Sequence, residues 1–209
     1  MEIKYKELIE ATLDELYADS KNDKFKMIKG FAKAVLRPMQ PIDFKEVYLS
    51  ISKEQGEELV ELITNNNLKN IVEFGTSFGI STLFLAQGVL ETKGHIITTE
   101  LIASKVQKAI QNFERAGVRH LIDVRIGNAI DTLKNLKGSI DLLLLDGWKD
   151  LYLPLFELLK SNFHKNTIIY VDNADMKDSQ LFLQTVGKNP EYELQSKFGG
   201  KVVLITTVK

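Results

Sequence analysis

Hydrophobic and polar positions change rhythm twice along this chain. Up to about residue 36, apolar side chains such as Leu8, Leu13 and Leu16 recur among many charges, which predicts a helical segment. The run Arg37-Pro38-Met39-Gln40-Pro41 breaks that pattern, because proline ends helices and restricts the residue before it. Ser52 reads as an N-cap for a helix reaching about Asn65, with Leu59, Leu62 and Ile63 on its apolar side. From Lys69 onward, short apolar runs alternate with helical stretches. The runs predict strands at 70–75, 95–101, 122–127, 140–147 and 167–173, with helices at 80–90, 104–116, 128–135 and 152–162. That alternation predicts a parallel sheet covered by helices on both faces. The tail departs from it. Residues 192–198 and 201–208 flank Gly199-Gly200, a hairpin signal, so the last two strands should run antiparallel to each other.

Composition narrows the class. The 209 residues suit a single domain with a core on both sides of a sheet. A net charge of −1 supplies no global basic field for nucleic acid. Cysteine is absent, which removes disulfides and thiolate chemistry. The first twenty residues are charged throughout and lack the apolar core of a signal peptide, and no run has the length of a membrane-spanning helix. A soluble, cytoplasmic protein without a membrane partner is the expectation.

Open parallel sheets bind ligands beyond the carboxyl ends of their strands. The polar residues that stand out here fall there: Glu73 and Gly75, Glu100, Asn128, Asp146, and Asp172. In Val72-Glu73-Phe74-Gly75-Thr76-Ser77-Phe78-Gly79-Ile80-Ser81, the glycines would let backbone N–H groups approach a ligand. Their spacing is not that of a dinucleotide binder, and Glu73 suits a ligand carrying an ammonium group rather than a pyrophosphate. An ordinary tight turn is the plainer reading. Glu100 is either a solvated acid or an acceptor for two ribose hydroxyls. Asn128-Ala129 is either a helix cap or the border of an adenine. Trp148, the sole tryptophan, is either core or a cover for a purine. The stretch LLLLDGWKDLYLP ends an apolar strand on Asp146 and sets Lys149 three residues later, while TIIYVDNAD ends on Asp172-Asn173. Each acid alone could cap a helix or close an Asx turn. Jointly, Asp146, Asp172 and Asn173 make a hard oxygen set suited to Mg²⁺, with an amine beside it.

These motifs, in this order and spacing from about residue 48 to 173, resemble the catechol O-methyltransferase-like family of class I S-adenosylmethionine-dependent methyltransferases. The resemblance rests on VEFGTSFGIS, TTEL, the GNA turn, LLLLDGWKDLYLP and YVDNAD. It implies an α/β, Rossmann-like fold with a seven-stranded, mostly parallel sheet, a C-terminal antiparallel hairpin and helices on both faces. Residues 1–47 would form a helical cap and 48–209 the cofactor-binding core. It further implies that Glu73 and Ser81 face the methionine part of S-adenosylmethionine above the turn at Gly75. Glu100 would hold the ribose, Asn128, Ala129 and Trp148 would border the adenine, and the backbone of Ile51 would touch the cofactor. Asp146, Asp172 and Asn173 would bind Mg²⁺ or another divalent cation, with Lys149 as general base.

Two departures bear on the acceptor, which the resemblance implies is a small catechol-like or phenolic hydroxyl compound. The segment KFGGKVV stands where the catechol enzymes carry a glutamate that grips the second hydroxyl. Asn173 is followed by Ala174-Asp175-Met176-Lys177, without their gatekeeping proline. In such enzymes the region matching 1–47 covers the acceptor pocket or joins a homodimer. A second reading is methylation of a hydroxylated wobble uridine in tRNA, as in bacterial relatives, with Lys24, Lys26, Lys29, Lys33 and Arg37 as a basic face. A third is a non-catalytic S-adenosylmethionine-binding protein.

Overall fold

Each apolar run becomes a strand because its side chains can be buried on both faces at once. In a computed structural model that describes residues 2–21, 23, 27, 37 and 39–208, the strands are β1 (Asn70–Phe74), β2 (His95–Glu100), β3 (Ile122–Ile126), β4 (Ile140–Leu145), β5 (Phe163–Val171), β6 (Tyr192–Lys197) and β7 (Val202–Thr207). They form one sheet in the order β3-β2-β1-β4-β5-β7-β6. The pairings from β3 through β5 are parallel, and β7 runs antiparallel to both β5 and β6. The expected hairpin therefore docks onto the sheet through its second strand.

The helices are α1 (Glu2–Ser20), α2 (Lys53–Asn65), α3 (Ile80–Thr92), α4 (Ala103–Arg115), α5 (Ala129–Leu133), α6 (Tyr152–Leu159) and α7 (Lys177–Val186). One apolar cluster joins α1, α2, α3 and α4 to one face of the sheet through residues such as Leu13, Leu59, Leu83 and Phe113. The other joins α5, α6 and α7 to the opposite face through Leu133, Leu155 and Phe182. Helix α3 is apolar nearly all round and sits enclosed between the sheet, α1 and α2. Gly56 lets α2 come close to it, since a Cβ there would lie 2.4 Å from the Phe84 ring. Among the described residues no helix is long and apolar enough to cross a membrane.

The structure extends and corrects several expected bounds. β5 begins four residues before the expected start at 167, through Phe163-His164-Lys165-Asn166. Those residues are mostly exposed and the register against β4 shifts there, so no apolar alternation announces them. Helix α7 has no counterpart in the sequence reading. Of the helix expected up to residue 36, α1 covers the first part, and Lys24, Lys26, Lys29 and Lys33 lie outside the described residues. Arg37 is described, and its guanidinium grips the buried Asp43 carboxylate through bonds of 2.9 and 2.7 Å.

The N-terminal ends of β1, β4 and β5 carry a polar lock of their own. Asp141 accepts the N–H groups of Lys69 and Asn70, both at 2.8 Å, and meets His164 Nε2 at 2.8 Å. Burial alone would raise its pKa, but those N–H groups and His164 hold the carboxyl below its ordinary value. A carboxyl depressed by folding stabilises the native state above its unfolded pKa, and that contribution is lost as pH falls through the folded value. Asp141→Ala should cost about 1–2 kcal/mol at neutral pH, a loss that disappears in strong acid. Denaturant titrations of both proteins at neutral and acid pH check this.

Candidate active site

Parallel strands deliver their C-termini to one edge of the sheet. Along that edge stand Asn128 after β3, Glu100 at the end of β2, Gly75 after β1, Asp146 after β4, and Asp172 after β5. Because α3 and α6 cover opposite faces, a crevice opens where β1 adjoins β4. The cleft there is lined by residues 48–51 on one side and by Gly75, Thr76, Ser77, Ile80, Ser81 and Asp146 on the other.

Gly75 allows this closeness. Its φ is +109°, and a Cβ would lie 2.7 Å from the carbonyl oxygen of Asp146. Gly75→Ala should therefore push the ends of β1 and β4 apart and lower stability by about 1–3 kcal/mol through backbone strain alone. Denaturant unfolding measures this; an unchanged midpoint would mean the turn relaxes freely.

Glu73 points from β1 toward α3 and is fully buried. Its carboxylate accepts the hydroxyls of Ser81 at 2.5 Å, Thr82 at 2.5 Å and Thr98 at 2.6 Å. Burial pushes its pKa up, opposed by those three hydroxyls. Ser81, rather than Glu73 itself, lines the cleft. Glu100 is held between two backbone donors, with Ser77 N at 2.9 Å from Oε2 and Ile102 N at 2.9 Å from Oε1. A carboxylate fixed in this way retains lone pairs for a ligand's hydroxyls. Asn128 caps α5, its Oδ1 accepting Ile130 N at 2.9 Å, and Ala129 is buried behind it. Trp148 is half-buried against the α5–α7 apolar cluster. Ile51 is buried, and its carbonyl accepts the Tyr17 hydroxyl at 3.1 Å.

The acids gather at the β4 and β5 ends. Asp146 has a side chain only 10% exposed, and Lys149 Nζ stands 3.9 Å from its Oδ1. Lys149 also donates to the carbonyl of Gly147 at 2.9 Å and lies over the Tyr152 ring. Burial, and then the neighbouring Asp172 charge, push the Asp146 pKa well above its ordinary value, against the pull of Lys149. Asp172 is buried, with Oδ1 accepting Gln55 Nε2 at 2.6 Å and Oδ2 accepting Asn173 Nδ2 at 2.7 Å. Asn173 takes φ +52°, a conformation asparagine tolerates better than most residues. Among the described residues no three His, Cys, Asp or Glu side chains cluster as a metal site. The candidate set is instead two carboxylates and an amide. It fits a hard divalent cation chemically, because two buried carboxylates side by side need a proton or a cation between them.

Two residues of this region lie outside the motifs that the sequence reading singles out. Gln55 has a legible signal, since Ser52-x-x-Gln55 has capping-box spacing, and both bonds of the box form at 3.0 and 3.2 Å. Its amide then reaches on to Asp172. Lys105 carries no such signal, being one lysine among the many charges of α4.

Comparison with known proteins bears on the family and the fold. A family model described as O-methyltransferase matches residues 39–181. Catechol O-methyltransferase of Niastella koreensis is 33% identical over 130 residues, covering 60% of this chain and 58% of that protein. Catechol O-methyltransferase of Mycobacterium tuberculosis is 29% identical over 156 residues, covering 68% of this chain and 70% of that protein. The chain thus spans less than two thirds of the first of these relatives. The O-methyltransferase of Bacillus cereus, solved in complex with SAH, superposes with a TM-score of 0.69 at 23% identity, over 88% of this chain and 97% of that one. The order of motifs, the sheet and the family match agree: the chain belongs to the O-methyltransferase family and is similar to its catechol O-methyltransferase members.

Proposed function

We propose that this chain transfers the methyl group of S-adenosylmethionine to a hydroxyl of a small catechol-like or phenolic acceptor, with a divalent cation such as Mg²⁺ as cofactor. The observation that carries the reading is the placing of Asp146, Lys149, Asp172 and Asn173 together at the ends of β4 and β5, beside the cleft at Gly75.

Methyl transfer from a sulfonium is an in-line displacement, so it depends mainly on holding nucleophile and methyl group close and aligned. In this reading the 48–51 segment, the 75–81 turn and Glu100 seat the donor, with Ser81 and Glu73 beneath its methionine part. Asn128, Ala129 and Trp148 border its adenine. A phenolic hydroxyl has a pKa of about 10 and is a weak nucleophile near neutrality. Asp146, Asp172 and Asn173 would hold the cation, which supplies electrostatic stabilisation of the developing oxyanion. Lys149, in its neutral amine form, would take the hydroxyl proton at Nζ and become an ammonium beside Asp146, and its approach to that carboxylate keeps it close to the reacting hydroxyl. Gln55 holds Asp172 in place from behind.

The test uses methyl-labelled S-adenosylmethionine with Mg²⁺ and parallel pools of catechols, simple phenols and undermodified tRNA. Label entering the catechol or phenol pool is expected. Label entering tRNA alone would replace the acceptor class, and label in none of the pools would remove the reading.

A further inference from the structure

The residue that the proposed chemistry leaves unused is Lys105. Among the described residues it is the lysine or arginine most fully withdrawn from water, at 3% exposure. Burying an ammonium is costly unless it is hydrogen-bonded, and an apolar side chain of similar size would pack there at lower cost. Lys105 Nζ donates to the Val47 carbonyl at 2.9 Å and to Ser77 Oγ at 3.2 Å, and lies 5.2 Å from the centre of the Phe78 ring. Ser77 Oγ in turn donates to the Tyr48 carbonyl at 2.7 Å, while Ser77 N donates to Glu100. The Tyr48 and Phe78 rings meet at 4.4 Å between centres. Burial pushes the ammonium's pKa down, and the charges of Glu100, Asp23 and Asp146 oppose that shift.

These bonds join the two walls of the cleft. Residues 47 and 48 belong to the segment leading into α2, whereas Ser77 and Phe78 belong to the turn between β1 and α3. Lys105 comes from the first turn of α4 and reaches both. Val47 and Tyr48 present backbone carbonyls, which leave the spacing of the walls to the donors that meet them. A side chain whose ammonium bonds Val47 on one wall and the Ser77 hydroxyl on the other fixes that spacing.

We propose that Lys105 is a positioning residue for the methyl donor: it draws the 47–51 segment onto the 75–78 turn and so sets how tightly the S-adenosyl ligand is held. The inference rests on reading this cleft as the donor's seat. Lys149, Asp172 and Asn173, proposed above to serve the acceptor, do not line this cleft, so the effect falls on donor affinity.

Titration calorimetry with SAH on the full chain tests this, using wild type, Lys105→Met and Ser77→Ala. Lys105→Met should raise the Kd about tenfold or more, as expected for losing a hydrogen bond from a charged donor. The KM for S-adenosylmethionine should rise in proportion, while kcat and the acceptor's KM move by less than about threefold, because only uniform binding is lost. Ser77→Ala, which leaves the lysine but removes the hydroxyl between the walls, should shift the Kd in the same direction and decides the matter if the first variant does not fold. A wild-type protein that binds SAH, with variants that bind it equally well, overturns the inference alone. So does a parallel fall of kcat and melting temperature at unchanged Kd, which is the mark of a merely structural lysine. A wild-type protein that fails to bind SAH overturns the donor-site reading and the inference together.

Discussion

Replacing Lys149 by alanine is expected to lower kcat about 10²–10⁴-fold, the range that one well-placed proton acceptor contributes. The side chain reaches back over Asp146 and lies against Tyr152 without itself lining the donor cleft, so its removal should leave that cleft's turns in place. The loss should shrink as pH approaches the acceptor's own pKa, about 10 for a phenol, because the hydroxyl then ionises without help. Lys149→Arg separates the base from the charge. Arginine stays protonated throughout, so a base function predicts a loss as deep as that of alanine. If the arginine variant retained most of the activity, Lys149 would be an electrostatic partner and no base. Initial rates at saturating donor across the alkaline range give both answers.

The second large effect concerns Asp146. Its carboxyl is buried beside Asp172, and both burial and that neighbour disfavour its charge. Asp146→Asn should therefore raise the melting temperature of the cation-free protein while abolishing most of its activity. Each kcal/mol recovered is worth about 2–4 °C in a chain of this size. Added Mg²⁺ should do for the wild type what the substitution does without it. A ligand that binds only the folded state at a hundred times its Kd adds about 2.7 kcal/mol. The asparagine variant should lack that response. Scanning calorimetry with and without Mg²⁺ measures the pair, and a variant less stable than the cation-free wild type would mean that the carboxylates are not in conflict.

Legibility follows physical pattern. The strands 70–74, 95–100 and 140–145 can be read because buried parallel strands demand short apolar runs, and the acids beyond them stand out against that background. The family resemblance supplies the roles proposed for Glu100, Asp146, Lys149, Asp172 and Asn173, and the sheet brings their strand ends to one edge. What escapes depends on long-range contacts. Lys105 is buried only because α4 docks its first turn beneath residues 47 and 77. Thr82 and Thr98 look like ordinary helix and strand residues until Glu73 is placed between them. The polar opening of β5 reads as loop because its pairing with β4 is irregular there. Helix α7 is short and largely polar, and its inner face becomes evident only once Leu183 and Val186 are seen to be buried.

The reaction itself is the decisive measurement: transfer of label from methyl-labelled S-adenosylmethionine into a catechol or phenol, with Mg²⁺ and after chelation, for wild type and Asp146→Asn. A cation held by Asp146, Asp172 and Asn173 predicts transfer by the wild type that falls to background on chelation, returns with Mg²⁺, and is absent from the variant in either condition. Transfer that proceeds equally after chelation and in the variant would remove the cation and its carboxylates from the chemistry.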